Sequence, residues 1–347
     1  MGTAGMSRRA MFGLLAGTGL LALTPPAQAM PRPLSISAGS RPRAVAVNPV
    51  THPGDAAVRL LSVPVGRRPV AVAMNSLTHT AYVANTVDRT ISVIMQGRAV
   101  ATIPAGGAPA DLAVDERTGR VYVANRTPGT TAVLETAGWQ LTNIIASGPG
   151  SAVLALDPDT YRMYVGSGTA GFVGVVDLYG GVLKVTLTGP GEGFASAAID
   201  APRRVGYFAS IQTSTVEVLD LTRGAFTASI PVGSGPSGLA VHHGTNTVYV
   251  ANSGIHHLSV VDGGTRQQTR TILLRSEASS VAVHERSNTV YTNGGPDGIV
   301  RIDGARGEIT GELTLGINPG HVAVDQRTGT VYVTDPLHDR LHVIGGF

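Results

Sequence analysis

The chain has 347 residues, of which 43% are hydrophobic and 14% are charged, a composition that can bury a sizeable core. It contains no cysteine, which excludes disulfides, thiolate metal sites, covalent haem and a cysteine nucleophile. The formal net charge is +3, but without Arg8 and Arg9 the chain has 24 basic residues against 23 acidic ones, so no nucleic-acid partner is expected.

Residues 1–29 have the organisation of an export signal. Arg8 and Arg9 precede an apolar run from Met11 to Thr24, and Ala27-Gln28-Ala29 offers small residues for cleavage. The arginine pair resembles a twin-arginine signal, and an ordinary secretory signal is the alternative. Because the run is shorter than the roughly 18 apolar residues of a membrane span, we expect an exported protein (periplasmic, cell-surface or secreted) without a transmembrane anchor. Residues 30–43 are predicted to be an extended lead-in.

One short unit, seen most clearly as Val121-Tyr122-Val123-Ala124-Asn125, recurs along the rest of the chain. Its tyrosine returns every 40–43 residues, at Tyr82, Tyr122, Tyr164, Tyr207, Tyr249, Tyr291 and Tyr332. A fixed period in this range indicates a solenoid, a propeller or an array.

Each repeat contains four short segments separated by turn residues, which we name strands a, b, c and d. Strand a has the form apolar-Ala-apolar and is expected at 72–74, 112–115, 154–157, 197–200, 239–242, 281–284 and 322–325. Its central alanine suits crowded innermost strands around an axis. Strand c ends in a carboxylate that is expected to accept backbone N–H groups in the next turn, at Asp177, Asp220, Asp262 and Asp303. Four-stranded antiparallel units of this length are propeller blades.

The two ends of the chain are predicted to complete one blade together. The last repeat has strands a, b and c but no strand d, whereas Val58 to Gly66 is a d-like strand without a repeat before it. Joining them gives seven complete blades and removes the free edges of an open ring. The segment Arg41 to Asn48 copies a strand a, so an extra edge strand or an eighth, degenerate blade is the alternative. The propeller is expected to span residues 44–347.

These motifs resemble the YVTN-repeat family of seven-bladed β-propellers. The resemblance rests on Gly-x-x-Pro, the apolar-Ala-apolar-Asp strand, Tyr-Val-x-Asn and the Val-Ile-Asp end of strand c, and it covers roughly residues 40–347. The Asn position departs from the pattern at Ser167, Ser210 and Asp335. The resemblance implies an all-β, exported or cell-surface binding scaffold. Related propellers include lactonases, so the fold does not exclude catalysis.

Candidate functional residues lie in the d-to-a and b-to-c loops, which share one face around the mouth of a propeller's channel. The predicted binding residues are Arg67, Arg68, Asp111, Glu192, Phe194, His256 and His338. His321 stands just before strand a, at a position that five other blades fill with Ala71, Val153, Ser196, Gly238 and Ser280. With Glu277 and His256 it is a candidate acid–base or metal site, and the alternative is a partly exposed histidine bonded to a loop carbonyl.

The sequence favours a monomeric binding scaffold that recognises a ligand or a protein at this loop face. The competing hypothesis is a lactonase-like hydrolase or lyase, with or without a divalent metal, that uses His321 and Glu277. The third is a purely structural protein of the cell envelope. The ligand, any metal and any cofactor are left open.

Overall fold

The computed structural model of the protein describes residues 44–45, 58–295 and 297–347, and all regular structure in these residues is β-strand. Within this part of the chain no helix is long and apolar enough to cross a membrane. The predicted export signal, residues 1–29, and the predicted lead-in, residues 30–43, lie outside the described residues.

The strands form seven antiparallel sheets, each of which is one blade. Six blades use four consecutive strands. They are blade 1, β3 (Pro69–Asn75), β4 (Thr80–Asn85), β5 (Thr90–Met95) and β6 (Arg98–Pro104); blade 2, β7 (Ala108–Asp115), β8 (Arg120–Thr127), β9 (Thr130–Glu135) and β10 (Gln140–Ala146); blade 3, β11 (Ser151–Asp157), β12 (Arg162–Ser167), β13 (Phe172–Asp177) and β14 (Val182–Thr188); blade 4, β15 (Phe194–Asp200), β16 (Val205–Ser210), β17 (Thr215–Asp220) and β18 (Ala225–Pro231); blade 5, β19 (Pro236–His242), β20 (Thr247–Asn252), β21 (His257–Asp262) and β22 (Gln267–Leu273); and blade 6, β23 (Val281–His284), β24 (Thr289–Gly295), β25 (Gly298–Asp303) and β26 (Glu308–Thr314).

Blade 7 joins the two ends of the chain. It contains β27 (Val322–Val324), β28 (Val331–Asp335) and β29 (Arg340–Gly345), and its fourth strand is β2 (Arg59–Pro64). Strand β2 runs antiparallel to β29, from the pair Arg59–Gly345 to the pair Pro64–Arg340. The predicted seven blades and their closure by an N-terminal strand are therefore confirmed.

A fifth strand covers the outer edge of blade 7. Strand β1 (Ala44–Val45) pairs antiparallel with Leu60 and Leu61 of β2. Of the two alternatives for the segment Arg41 to Asn48, the structure has the extra edge strand and not an eighth blade. The remaining residues of that segment lie outside the described part of the chain.

The repeated alanine and the repeated tyrosine are cross-strand partners in every blade. The pairs are Ala73–Tyr82, Ala113–Tyr122, Ala155–Tyr164, Ala198–Tyr207, Ala240–Tyr249, Ala282–Tyr291 and Ala323–Tyr332. Directly opposed residues project from the same face of a sheet, so a small side chain leaves room for the buried ring beside it. This pairing, in addition to crowding at the axis, explains why the position is always alanine.

Two of the repeated tyrosines also bond to the following blade. The hydroxyl of Tyr249 in blade 5 donates to the carbonyl of Gly304 in blade 6 at 3.0 Å, and that of Tyr291 donates to the carbonyl of Phe347 at 3.1 Å.

The predicted turn carboxylates are confirmed as well. Asp262, for example, accepts the N–H groups of Gly264 and Thr265 at 2.8 Å each.

Candidate functional site

The innermost strands enclose a central channel with a cavity of about 650 Å³. We call the end that carries the d-to-a and b-to-c loops the upper face, and the end that carries the a-to-b and c-to-d turns the lower face. Small residues make up much of the wall. Four charged or titratable side chains interrupt it, namely Arg68, Asp111 and His321 toward the upper face and Glu116 toward the lower face.

Asp111 and His321 occupy equivalent positions in two different blades. Each of the seven equivalent residues lies two positions before the alanine of strand a that pairs with the repeated tyrosine. They are Ala71, Asp111, Val153, Ser196, Gly238, Ser280 and His321. Gly238 has no room for a side chain, because an added Cβ would lie 2.7 Å from the Cα of Ser280.

The polar residues at this position accept hydrogen bonds from backbone N–H groups of the innermost strands, and we call this set the upper ring. Each side chain reaches the strand of the following blade, and Asp111 also accepts from the residue after it. The bonds are Val72 N–H to His321 Nδ1 at 3.4 Å, Leu112 and Leu154 N–H to Asp111 at 2.8 and 2.9 Å, Leu239 N–H to Ser196 at 3.0 Å and Val322 N–H to Ser280 at 2.9 Å. Because inner edge strands have unpaired N–H groups, these side chains hold neighbouring blades together at the axis.

Burial shifts the pKa of both titratable members of the upper ring away from their usual values. Burial raises the pKa of the Asp111 carboxyl to about 6, and its two backbone hydrogen bonds oppose that shift. Burial lowers the pKa of His321 to about 4. His321 is therefore neutral near pH 7, and since Nδ1 accepts from Val72, its proton lies on Nε2. The imidazole can donate this proton in a hydrogen bond to a ligand, but it is a weak general base.

The two arginines at the channel mouth have different environments. The guanidinium of Arg67 pairs with Asp88, and its backbone N–H also donates to that carboxylate at 2.7 Å. The backbone N–H of Arg68 donates to Asp339 at 2.8 Å, and the side chain of Arg68 lines the channel. In the described residues no carboxylate lies within ion-pair distance of the Arg68 guanidinium, so this cation is available to a ligand in the channel.

The other predicted loop residues do not come together as one group. Glu192, His256 and Glu277 are exposed in loops of blades 4, 5 and 6. The described residues show no hydrogen bond or ion pair that joins any of these side chains to His321, and they contain no group of three His, Asp or Glu side chains placed to hold a metal ion. The acid–base or metal site predicted from His321, Glu277 and His256 is not assembled in this structure.

Phe194 does not face a ligand site, which corrects the prediction made for it. The side chain is 1% exposed and packs against Phe208 and Phe226, with ring centroids 5.5 and 6.3 Å away. The reason is that β15 begins at Phe194, three residues before the expected strand, so the residue belongs to the sheet and not to the loop.

His338 forms a polar cluster in blade 7 that sequence reasoning found only in part. Its Nδ1 lies 2.8 Å from the carboxylate of Asp335, which is 1% exposed, and Nε2 of the buried His342 lies 3.6 Å from the same carboxylate. Asp335 takes the place of the repeat's Asn, and His342 takes the place of Ser92 and Ser259 in blades 1 and 5. The sequence signal for this cluster was that the Asn position and the position of these serines both carry a different, titratable residue in blade 7.

No family model matches the chain, and no curated protein matches its sequence. Solved structures match its fold. Hydrazine synthase of Kuenenia stuttgartiensis has a TM-score of 0.70 at 12% identity, over 80% of this chain and 95% of that one. The protein U3-55K has a TM-score of 0.70 at 14% identity, over 83% of this chain and 98% of that one. The fold places the chain in the class of seven-bladed β-propellers, whose rigid blades and channel suit either a binding scaffold or an enzyme.

Proposed function

We propose that this protein is an exported binding scaffold that holds a small polar ligand at the upper mouth of its channel. The observation that carries the proposal is the cavity of about 650 Å³, in which Arg68, Asp111 and His321 project from a wall of small residues. The volume lies within the range of small-molecule sites. Export is proposed from the arginine pair and the apolar run within residues 1–29.

The three side chains offer complementary chemistry to a ligand. The Arg68 guanidinium can bind a carboxylate or a phosphoryl group through two parallel hydrogen bonds. Asp111 accepts, and neutral His321 donates through Nε2. A ligand with an anionic group and a donor group, such as a small hydroxy or amino acid, would use all three.

The proposal is tested on protein recovered from the exported fraction of cells. The protein is denatured, and the small molecules that it releases are analysed by mass spectrometry for the wild type, Arg68→Gln and Arg223→Gln. Arg223 is an exposed arginine of a c-to-d turn and serves as the control. We expect one compound in the wild-type and Arg223→Gln extracts that is depleted about tenfold in Arg68→Gln. Identical extracts from all three would contradict the proposal.

A hydrolase or lyase is the second candidate, and the Asp335–His338 pair favours it. A carboxylate that holds Nδ1 of a histidine and leaves Nε2 exposed is an arrangement that orients general bases. Pro336, two residues from His338, lines the channel. The wild type should then hydrolyse small lactones, His338→Gln should lose this activity, and His256→Gln should keep it. Equal rates in the two variants would exclude the Asp335–His338 pair as the catalytic group.

A further inference from the structure

The lower face of the propeller has a cavity of its own, with a volume of about 640 Å³. Its walls are the a-to-b turns of blades 2, 3 and 4, and His243 of blade 5 closes one side. It meets the lower end of the channel at Glu116, which lines both. We call it the lower-face cavity, and no residue of the upper mouth lines it.

The cavity lies where a second ring of inter-blade hydrogen bonds is interrupted. In four blades the residue three positions after the repeated alanine accepts from the backbone N–H of its equivalent in the preceding blade, and we call this set the lower ring. Its bonds are His243 N–H to Glu285 at 3.1 Å, Glu285 N–H to Gln326 at 2.9 Å, Gln326 N–H to Ser76 at 3.0 Å and Ser76 N–H to Glu116. Blades 3 and 4 have Pro158 and Ala201 at this position. Because neither side chain carries a polar atom, the lower ring stops after Glu116, and the cavity opens in the gap.

The floor of the lower-face cavity is apolar. Its side chains come from blades 2, 3 and 4, and they are Val114, Leu156, Pro158, Leu178, Ile199, Ala201 and Pro202. A ligand of small-molecule size can bury an apolar body against this floor, which removes that part of its surface from water. The floor therefore favours an apolar or aromatic body and sets no preference for the charge of the ligand.

The negative charge of the lower-face cavity comes from carboxylates in its walls. Four line it, namely Asp115, Glu116, Asp157 and Asp159. Asp157 is neutralised by an ion pair with Arg204. In the described part of the chain, no cationic side chain lies within ion-pair distance of the other three.

Two side chains that can carry positive charge line the same cavity, His243 and Arg117. Nδ1 of His243 lies 2.6 Å from the carboxylate of Glu285, so that acid balances the charge of His243. Arg117 is exposed, and no described carboxylate lies within ion-pair distance of its guanidinium. Three unpaired carboxylates therefore face one unpaired guanidinium, and the cavity carries an excess of negative charge.

Arg117 already holds a positive charge against the aromatic wall of this cavity. Its guanidinium lies over the ring of Tyr161, 5.1 Å from the centroid, and the π-electrons of a ring attract a cation in this position. Tyr179 packs against the same ring, with the centroids 4.4 Å apart, and Tyr161 is only 6% exposed. A cation is thus accepted at this wall, and a cationic ligand competes with Arg117 for it and for the carboxylates.

We propose that the lower-face cavity binds a small organic ammonium ion with an apolar or aromatic body. The body lies on the floor between Pro158 and Ile199, and the ammonium group faces the unpaired carboxylates of Glu116 and Asp159. The excess negative charge makes the cavity selective for a cation over a neutral molecule of the same shape, and it repels an anion.

Isothermal titration calorimetry with 1-naphthylmethylammonium as the probe tests the proposal. We expect the wild type to bind it at low salt with a dissociation constant on the order of 100 µM. The probe 1-naphthalenemethanol has the same body without the charge, and 1-naphthoate has a negative charge in its place. The alcohol should bind about tenfold more weakly than the ammonium ion, and the carboxylate more weakly still, because only the cation is attracted to the walls.

Variants of single charged residues locate the probe. Glu116→Gln and Asp159→Asn should each weaken binding of the ammonium ion about threefold, because each removes one negative charge. Glutamine at position 116 still accepts from the N–H of Ser76, so the lower ring is kept. Arg117→Gln should tighten binding about threefold, because it removes the competing cation, and it should leave the affinity for the alcohol unchanged. Glu308→Gln is the matched control, because it removes an exposed carboxylate from the outer strand of blade 6.

Opposite effects of Asp159→Asn and Arg117→Gln on the ammonium ion, with no effect of Glu308→Gln, support the lower-face cavity. The inference is overturned if the wild type does not bind the ammonium ion or if the alcohol binds equally well. It is also overturned if Arg117→Gln weakens binding, or if Glu308→Gln weakens it as much as Asp159→Asn does. Because the two cavities lie on opposite faces, none of these results decides the upper-mouth proposal, which has its own test with Arg68→Gln.

Discussion

Replacing Val63 by aspartate should remove much of the stability of the ring. Val63 is 3% exposed on β2, the strand that closes blade 7, and it packs with Val72, Tyr332 and Leu341. The change gives up the transfer free energy of a buried valine, about 1.5–3 kcal/mol. It also puts a carboxyl among apolar groups, which costs several kcal/mol more whether the group is charged or protonated. We expect a loss of at least about 4 kcal/mol from a total that is typically 5–15 kcal/mol.

The assay is thermal unfolding followed by circular dichroism, in which such a loss lowers the Tm by about 8–16 °C. Val87→Asp is the matched control, because Val87 is 47% exposed in a loop of blade 1 and its substitution should change stability by less than about 0.5 kcal/mol. If both variants melt together, β2 does not contribute to the core, and the closure of the ring cannot be what stabilises the fold.

Three further predictions test the axis, the blade interfaces and export. Asp111 has a raised pKa, so its contribution to stability is present below its unfolded pKa near 4 and is lost as pH rises to about 6. His321 has a lowered pKa, so its contribution is present above 6.5 and is lost as pH falls toward 4. Between pH 4 and 6, the Tm of Asp111→Asn should therefore rise relative to that of the wild type, whereas the Tm of His321→Gln should fall relative to it. If the Tm difference from the wild type changes with pH in the same way for both variants, the burial of both groups is refuted. Ala155→Leu places a larger side chain opposite Tyr164 and should lower the free energy of unfolding in urea by about 1–3 kcal/mol. Ala146→Leu, at an exposed site, should leave it unchanged. Equal losses in the two variants would contradict the alanine–tyrosine pairing. Replacing Arg8 and Arg9 by lysines should abolish export in a cell-fractionation assay, and undiminished export would exclude the twin-arginine route.

The architecture could be predicted from the sequence because every blade repeats the same local rule. The tyrosine period gave the number of blades, and the unmatched strand at Val58 to Gly66 gave the closure. The pairing of each alanine with a tyrosine was not predicted, since it depends on the register between strands a and b. Phe194 was misplaced for a similar reason, because a strand can begin several residues before its apolar core.

The candidate site was less predictable, because its side chains act between blades. His321 was identified as an unusual residue near the axis, and Asp111 only as a candidate in the d-to-a loops. The hydrogen bonds from Leu154 N–H to Asp111 and from Val72 N–H to His321 cross from one blade to the next. An alignment of the seven repeats shows which positions are polar and does not show which neighbour they contact.

Native mass spectrometry of the exported protein tests the central claim, ligand binding at the upper mouth, most directly. The spectrum of the wild type should show the mature chain with one non-covalently bound small molecule, and denaturing conditions should remove the added mass. Arg68→Gln should show the bare chain, while Arg223→Gln should keep the adduct. A wild-type protein that carries only the mass of its mature chain, or an adduct that Arg68→Gln retains in full, would contradict a ligand site built on Arg68, Asp111 and His321.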